Sequence, residues 1–324
     1  MRQSCIDDVL VDMWTHDPFS AHKDANGNIY ARGSQDMKCV GIQYIEAVKR
    51  LKSNNIQLKR TIHMSFMPDE EIGGTDGMKK FVRTEDFRKL NVGFALDEGI
   101  ASPTEEFLLY NNERSVWKMT VHCPGTPGHG SLLLNDTAGE KLRVIIDRFM
   151  DFRQKEKEKL LSNPKFTIGD VTTINLTMLM GGVEPNVVPP ELEVTFDVRL
   201  ALDVDHNKFQ TTLETWCAEA GPGTTITFIS QDPKVPTTAV DDTNPWWRAF
   251  KKETDALGLK LKPLIFPGGT DCRYIREVGI PALGFSPMNN TPVLLHDHDE
   301  FLNEKVFLKG IEIYQRIIPT IANV

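Results

Sequence analysis

Three consecutive carboxylates follow an apolar segment of the sequence. Residues 62–67 are mostly apolar and predict a buried strand, and Asp69-Glu70-Glu71 comes after it, ahead of two glycines. Carboxylates at the end of a core strand repel each other unless a cation lies among them. Adjacent side chains there point in different directions, so one Glu can hold a metal while its neighbour lies over the water bound to that metal. A solvated acidic turn is the alternative for this stretch taken alone.

Carboxylates recur at the ends of two other predicted elements. Asp36 stands at the start of a helix that the three- and four-residue spacing of apolar positions predicts from residue 37 onwards. A predicted strand at residues 92–96 leads directly into Asp97 and Glu98. Such ends lie at one edge of an α/β sheet, where site residues collect. The alternative role for Asp36 is that of a helix cap.

Two histidines lie among acids near the end of the chain. His296 and His298 belong to the run His-Asp-His-Asp-Glu, and a carboxylate beside a ligand histidine fixes its tautomer. Carboxylates with one or two histidines form a common ligand set for zinc. A surface loop is the alternative for an isolated His-x-His pair.

Composition restricts the class of protein. The 324 residues suffice for two domains, and a net charge of −8 argues against nucleic acid or an anionic membrane as the main partner. No apolar run reaches the 18 residues that a membrane span needs, and the first residues include acids where a signal peptide is apolar. Five scattered cysteines without a C-x-x-C pair predict reduced thiols and a cytoplasmic protein.

The order of predicted elements indicates an inserted domain. Residues 112–233 show the order β-α-β-β-α-β of a ferredoxin-like unit. Its strands and helices are expected near residues 116–122, 138–157, 171–180, 192–200, 206–218 and 224–229. Residues 1–111 and 234–324 have α/β texture, with a helix at 245–257, strands at 261–266 and 281–285, and a final helix. One catalytic α/β domain interrupted by a second domain explains this order.

Six motifs, in this order and spacing, give the chain a resemblance to the zinc-dependent aminoacylase-1 family, relatives of the co-catalytic zinc exopeptidases. They are ARGSQDMK, FMPDEEIGG, FALDEGI, GTPGHGS, GGTDCRYIR and LGFSPMNNTPVLLHDHDE. The resemblance runs from Trp14 to the C-terminus. It implies a zinc-exopeptidase-like α/β/α catalytic domain, an inserted ferredoxin-like α+β dimerisation (lid) domain, a homodimer and two zinc ions per subunit.

The resemblance also assigns roles in the catalytic domain. Asp36 resembles the carboxylate that bridges the two zinc ions. Glu71 and His296 would complete the ligands of one ion, and Glu98 would serve the other. Glu70 resembles the general base that takes a proton from the attacking water and passes it to the leaving amine.

Further roles concern the substrate. His129 resembles a residue that reaches across a dimer to stabilise the tetrahedral oxyanion. Arg199 and Asn186 resemble the pair that holds the substrate's free carboxylate, a task for which a planar guanidinium is suited. The alternative role for Arg199 is that of a surface charge at the end of a strand, and the alternative for Asn186 is that of a turn former. The family's glycine-rich substrate segment corresponds to Gly268, Gly269 and Thr270.

The chain departs from the family at its start. The family has a His-x-Asp motif shortly before the tryptophan matched by Trp14, and the corresponding positions here are Gln3 and Cys5. The family's His is a ligand of the zinc that Glu98 serves. A shortened isoform and an incomplete gene model both remain open. We expect one zinc to be held tightly and the second weakly.

The resulting functional prediction is a metal-dependent amidohydrolase that cleaves N-acyl-L-amino acids to a carboxylate and a free amino acid. Two alternatives remain open. One is a non-catalytic family member that acts only by dimerisation, and the other is a related dipeptidase or carboxypeptidase.

Overall fold

The structure, a computed structural model, describes residues 11–324. Its α-helices are α1 Lys38–Ser53, α2 Met78–Phe81, α3 Glu85–Leu90, α4 Ala138–Ser162, α5 His206–Ala220, α6 Pro245–Ala256, α7 Cys272–Glu277 and α8 Glu304–Ala322. Its β-strands are β1 His22–Lys23, β2 Asn28–Tyr30, β3 Ala95–Asp97, β4 Phe107–Glu113, β5 Ser115–Pro124, β6 Gly128–His129, β7 Thr173–Gly181, β8 Val187–Val188, β9 Glu191–Leu200, β10 Thr225–Gln231, β11 Leu261–Phe266, β12 Ala282–Phe285 and β13 Phe301–Asn303.

The chain divides into two compact units. The first runs to Asn112 and continues with Pro236–Leu264 and Thr270–Val324. The second consists of Glu113–Val235 together with Ile265–Gly269. Each unit has its own hydrophobic core.

The first unit is built on a mixed sheet with the strand order β11-β4-β12-β3. Strand β12 pairs with β3 in parallel and with β4 in antiparallel orientation. Helices α1 and α8 pack together beside the core, and Tyr314, Leu283 and Phe285 are fully buried there. A separate sheet has the order β1-β2-β13. The parallel pair places the carboxyl ends of β3 and β12 at the same edge.

Helix α8 shows how the sequence specifies this core. Its apolar residues recur at three- and four-residue spacing, and Ile311, Tyr314 and Ile318 form the buried face. The predicted final helix is therefore confirmed. No helix in residues 11–324 combines the length and the apolar character needed to cross a membrane.

The second unit is a four-stranded antiparallel sheet with the order β10-β5-β9-β7. Numbered along this unit, the strands lie in the order 4-1-3-2, which confirms the predicted ferredoxin-like arrangement. Side chains from α4 and α5 join the core of this sheet, where Phe149 stacks on Phe196 with ring centroids 3.8 Å apart. Alternation along β5 buries Met119 and Val121 in that core and leaves His122 on the opposite face.

The predicted strand at residues 62–67 is wrong. In the described part of the chain this segment pairs with no strand, and the side chains of Met64 and Phe66 remain 45% and 46% exposed. An apolar run makes a strand only when a neighbour supplies hydrogen bonds to its backbone. The sequence also predicts a helix at residues 75–82, and the structure has the shorter α2 there. The predicted strand at 92–96 is likewise present but shorter, as β3.

Candidate metal centre

Three side chains from distant parts of the first unit meet in one cluster. Asp36, Glu71 and His296 each present a ligand atom, and these atoms all lie within 4.8 Å of one another. His296 Nε2 is 3.1 Å from Asp36 Oδ2 and 3.2 Å from Glu71 Oε2. Ligand atoms around a tetrahedral zinc with bonds near 2.0–2.1 Å are roughly 3.3 Å apart. The composition and the spacing of this cluster, which we call the triad, therefore fit zinc.

The carboxylate of Glu300 holds the loop that carries Asp36. It is fully buried and accepts hydrogen bonds from the backbone N–H groups of Gly33, Gln35 and Asp36 at 3.2, 2.6 and 3.2 Å. Arg32 forms an ion pair with it at 2.8 Å. Burial raises the pKa of Glu300, and these donors and the guanidinium oppose that rise. Sequence reasoning assigned Glu300 no role, although it belongs to the acidic run around His296.

Gln35 ties the Asp36 loop to the loop that carries His296. Its side chain is 1% exposed, and its Nε2 donates to the carbonyl oxygens of Pro292 at 3.0 Å and Phe301 at 2.8 Å. Its Oε1 accepts a hydrogen bond from the N–H of Leu294 at 3.1 Å. Sequence reasoning missed this residue as well, because its neighbour Asp36 carried the chemical signal. The position of His296 thus depends on a buried amide.

The acids of the Asp69-Glu70-Glu71 run have different surroundings. Asp69 is buried, and its Oδ2 accepts from the N–H groups of Asp76 and Gly77 at 2.7 and 3.0 Å, so it stabilises the following turn. Glu70 and Glu71 lie in a short 3₁₀-helix, Glu70–Ile72. Glu71 belongs to the triad, whereas Glu70 does not.

The glycines after this run allow a close approach from α7. Gly74 has a φ of +61°, and a Cβ added there would lie 2.5 Å from Asp271 Oδ1. The carbonyl of Gly73 accepts hydrogen bonds from the Tyr274 hydroxyl at 2.6 Å and from Arg273 Nη2 at 2.9 Å. Contacts from α7 therefore fix the end of the acidic run.

A deeper set of acids lies beside the triad. Burial raises the pKa of Glu98 well above its usual value, and the charges of Asp36, Asp97 and Glu70 add to the rise. Burial likewise raises the pKa of Glu70 to about 9, with repulsion from Asp271 and Glu71. Burial also raises the pKa of Asp97. A group of buried carboxylates that disfavour ionisation is stabilised by a cation among them.

The pKa of His296 moves in the direction expected beside carboxylates. Its hydrogen bonds with Asp36 and then Glu71 raise the pKa of the imidazole to about 10. A proton and a divalent cation compete for the same Nε2, because a ligand histidine must be neutral.

A cavity of about 800 Å³ opens within the first unit. Asp36, Glu70 and Glu98 line part of it, and apolar side chains including Phe87 and Trp246 line another part. The acids are therefore accessible from an open space.

The remaining predicted site residues belong mainly to the second unit. Strands β6 and β8 bring His129 close to Asn186, whose carbonyl accepts from the N–H of Gly130 at 2.7 Å. Arg199 pairs with Asp197, with Nε and Nη2 donating at 2.6 and 3.0 Å.

The glycine-rich segment is divided between the units. Gly268 and Gly269 belong to the second unit, and Thr270 is a buried residue of the first. The Thr270 hydroxyl accepts a hydrogen bond from the N–H of Cys272 at 3.2 Å. Gln3 and Cys5, at the positions of the His-x-Asp motif, lie outside the described residues.

Comparison with known proteins identifies relatives along nearly the whole chain. The profile of peptidase family M20/M25/M40 matches residues 7–320. Human aminoacylase-1 is 52% identical over 316 residues, covering 98% of this chain and 78% of that protein. Aminoacylase-1 of Dictyostelium discoideum is 47% identical over 324 residues, covering 96% of this chain and 79% of that protein. A carboxypeptidase S-like protein of the same organism is 23% identical, with 96% of this chain and 68% of that protein covered.

Solved structures give the same fold. An M20 family metallo-carboxypeptidase from Sulfolobus solfataricus superposes with a TM-score of 0.75 at 17% identity, covering 96% of this chain and 82% of that one. A dipeptidase from Saccharomyces cerevisiae gives 0.70 at 14% identity, covering 97% and 77%. These similarities confirm the predicted α/β fold of the zinc-exopeptidase type. The chain belongs to peptidase family M20/M25/M40 and, within it, to the aminoacylase-1 group.

Proposed function

We propose that this protein is a metal-dependent amidohydrolase that cleaves N-acyl-L-amino acids to a carboxylate and a free L-amino acid. The observation that carries the proposal is the triad of Asp36, Glu71 and His296 in a chain 52% identical to human aminoacylase-1. The similarity to the carboxypeptidase S-like protein is much lower, at 23%, so a carboxypeptidase is less favoured. A family member that acts only by association is also less favoured, because the carboxylates and histidine suited to catalysis are assembled.

The proposed resident metal is zinc. Asp36, Glu71 and His296 would hold one ion, and Asp36 with Glu98 would contribute to a second. The support for Glu98 is its burial in the same acidic group, where the charge of Asp36 adds to the rise of its pKa. A divalent cation supplies two effects in such a site: it lowers the pKa of a water and polarises the amide carbonyl.

Glu70 is the proposed general base. It is next to Glu71 in the same 3₁₀-helix, and it lines the same cavity as Asp36 without belonging to the triad. Its carboxylate would take the proton of the attacking water and deliver it to the amine that leaves.

The second unit would supply recognition of the substrate. Arg199 and Asn186 are proposed to hold the free carboxylate, and a carboxylate ligand would take the place of Asp197 on the guanidinium. His129 is proposed to stabilise the oxyanion of a partner subunit in a homodimer, and its ring is oriented by a 2.8 Å contact between Nδ1 and Ser131 Oγ. Gly268, Gly269 and Thr270 would form part of the substrate pocket.

The proposed function is tested by separating metal binding from turnover. Glu70→Gln should retain the zinc content of the wild type and lose at least about 100-fold in kcat with N-acetyl-L-methionine, the range expected for a general base. Glu71→Gln should lose zinc as well as activity. Zinc is measured by elemental analysis after dialysis. Equal zinc loss in the two variants would contradict the division of roles.

The same variant tests the dimer. If His129 acts across subunits, mixed dimers of Glu70→Gln and His129→Ala contain one site with both residues intact. Refolded mixtures should then recover up to about a quarter of the wild-type activity, because half of the dimers are mixed and each has one working site. A wild type that sediments as a monomer, or mixtures that stay inactive although mixed dimers form, would refute the role of His129.

A further inference from the structure

A second cluster of potential ligands lies on the sheet of the second unit, on the face away from α4 and α5. His122 of β5 lies directly opposite Glu193 of β9, and Glu191 is two residues before Glu193, at the start of β9. Because side chains alternate along a strand, all three point to the same face. Their ligand atoms lie within 4.8 Å of one another.

The distances place a histidine nitrogen between two carboxylates. His122 Nδ1 is 3.2 Å from Glu193 Oε1 and 3.7 Å from Glu191 Oε1. The other ring nitrogen, Nε2, is 3.1 Å from the hydroxyl of Thr227 on β10. A ligand histidine commonly uses one nitrogen for the metal while the other donates a hydrogen bond that fixes the ring. The Thr227 contact orients His122 in this way.

The two carboxylates of the cluster have no lysine or arginine partner in the described part of the chain. His122 is their shared partner. The Nδ1–H tautomer would let the ring donate to Glu193. When Nε2 carries the ring hydrogen, Nδ1 presents a lone pair to two anionic oxygens, and a cation between them removes the repulsion. A divalent cation would neutralise both carboxylates at once.

We propose that His122, Glu191 and Glu193 form a second metal site, the sheet site, which binds a divalent transition cation of the zinc class. Its donor set, one imidazole and two carboxylates, is the same as that of the triad, and its two short spacings bracket the roughly 3.3 Å expected around tetrahedral zinc. The side chains of His122, Glu193 and Glu191 are 28%, 26% and 48% exposed, so an ion can reach them without a conformational change. The site includes none of the residues proposed for hydrolysis, and a bound ion would link β5 to β9 while Thr227 holds the ring from β10.

Zinc stoichiometry of the full-length chain tests the sheet site. The metal-stripped protein is dialysed against buffered micromolar free zinc, and bound zinc per chain is measured by elemental analysis. His122→Gln should bind one equivalent less than the wild type. The same loss should appear when His122→Gln is added to a His296→Gln background, because the triad and the sheet site are independent. In the His296→Gln background, replacing zinc by Co²⁺ should give the visible absorption of a four-coordinate ion, and the additional His122→Gln substitution should remove it.

A matched control is Glu219→Gln, which removes a carboxylate of the same unit that pairs with Arg148 at 2.7 Å. It should bind as much zinc as the wild type. Glu193→Gln gives a second test should His122→Gln fold poorly, as judged by circular dichroism, and it should weaken the same equivalent at least tenfold. The proposal is overturned if folded His122→Gln or Glu193→Gln keeps the full wild-type zinc content. It is equally overturned if Glu219→Gln loses the same equivalent, or if the additional zinc binds only at millimolar concentrations.

Discussion

Gln35 is the residue through which the position of the proposed metal ligand His296 can be perturbed without touching a ligand. Its amide makes three hydrogen bonds, to the carbonyls of Pro292 and Phe301 and from the N–H of Leu294. The substitution Gln35→Ala removes all three and leaves two carbonyls and one N–H without this partner. Each such bond contributes about 1 kcal/mol net, so the loss in unfolding free energy should be about 3 kcal/mol, more if the freed groups stay dry.

The more specific effect concerns metal affinity. The loop of residues 292–301 carries His296, and residues that orient a ligand typically change metal affinity by about 10- to 100-fold when replaced. We therefore expect Gln35→Ala to bind zinc at the triad at least about tenfold more weakly than the wild type. Competition with a chromophoric chelator measures that affinity, and urea unfolding of the metal-free protein measures stability separately from metal binding.

Gln43 provides a matched control on α1. It is also a buried glutamine, but it donates one hydrogen bond, to the carbonyl of Phe307 at 3.0 Å, and it holds neither the Asp36 loop nor the His296 loop. Gln43→Ala should lower stability while leaving zinc affinity within about twofold of the wild type. The reasoning is refuted if Gln35→Ala binds zinc like the wild type, or if the two variants lose affinity equally.

Two further predictions concern stability. Glu300→Gln leaves the buried Arg32 without its carboxylate and should lower the free energy of unfolding in urea by about 3–5 kcal/mol. Glu277→Gln, the control, breaks a partly exposed pair with Arg83 and should lower it by less than about 1 kcal/mol. Similar losses in both variants would contradict the importance of the buried pair. Burial, and then the charge of Lys234, lower the pKa of His206 below its usual 6.5. The unfolded chain therefore takes up this proton at a higher pH than the folded chain does. Stability should fall as the pH drops below about 6.5 and should level off below the folded pKa. His206→Gln should flatten that part of the stability curve, and an unchanged curve would show that His206 does not cause it.

The elements that the sequence predicted well are those whose pattern is local. The buried face of α8 repeats every three or four residues, and β5 alternates between core and outer face, so each pattern shows both the type of element and its buried side. The order of such elements was sufficient to predict the ferredoxin-like unit. The strand prediction for residues 62–67 was wrong because a strand needs a neighbouring strand to pair with, and an apolar run does not specify that neighbour.

In the candidate site, too, the sequence predicted what a local pattern encodes and missed what depends on distant partners. The types and spacing of Asp36, Glu71 and His296 indicated metal chemistry, and the fold brings them together. Their roles, like those of Glu70 and Glu98, remain predictions. Gln35 and Glu300 escaped notice because their importance lies in burial and in partners some 260 residues away, which no local pattern encodes. Asp69 was grouped with its acidic neighbours, although its own contacts make it part of the turn.

The separation of the triad along the chain has a consequence for the order of events during folding. Asp36 and His296 are 260 residues apart, and the whole of the second unit lies between them in sequence. On the ribosome, the four-stranded sheet of that unit is complete after residue 231, whereas the triad cannot form until the loop with His296 has been synthesised. Closing so long a loop is slow, so the proposed capture of a metal ion by the complete triad would be a late step. Zinc bound at the triad would therefore mark chains that have finished folding.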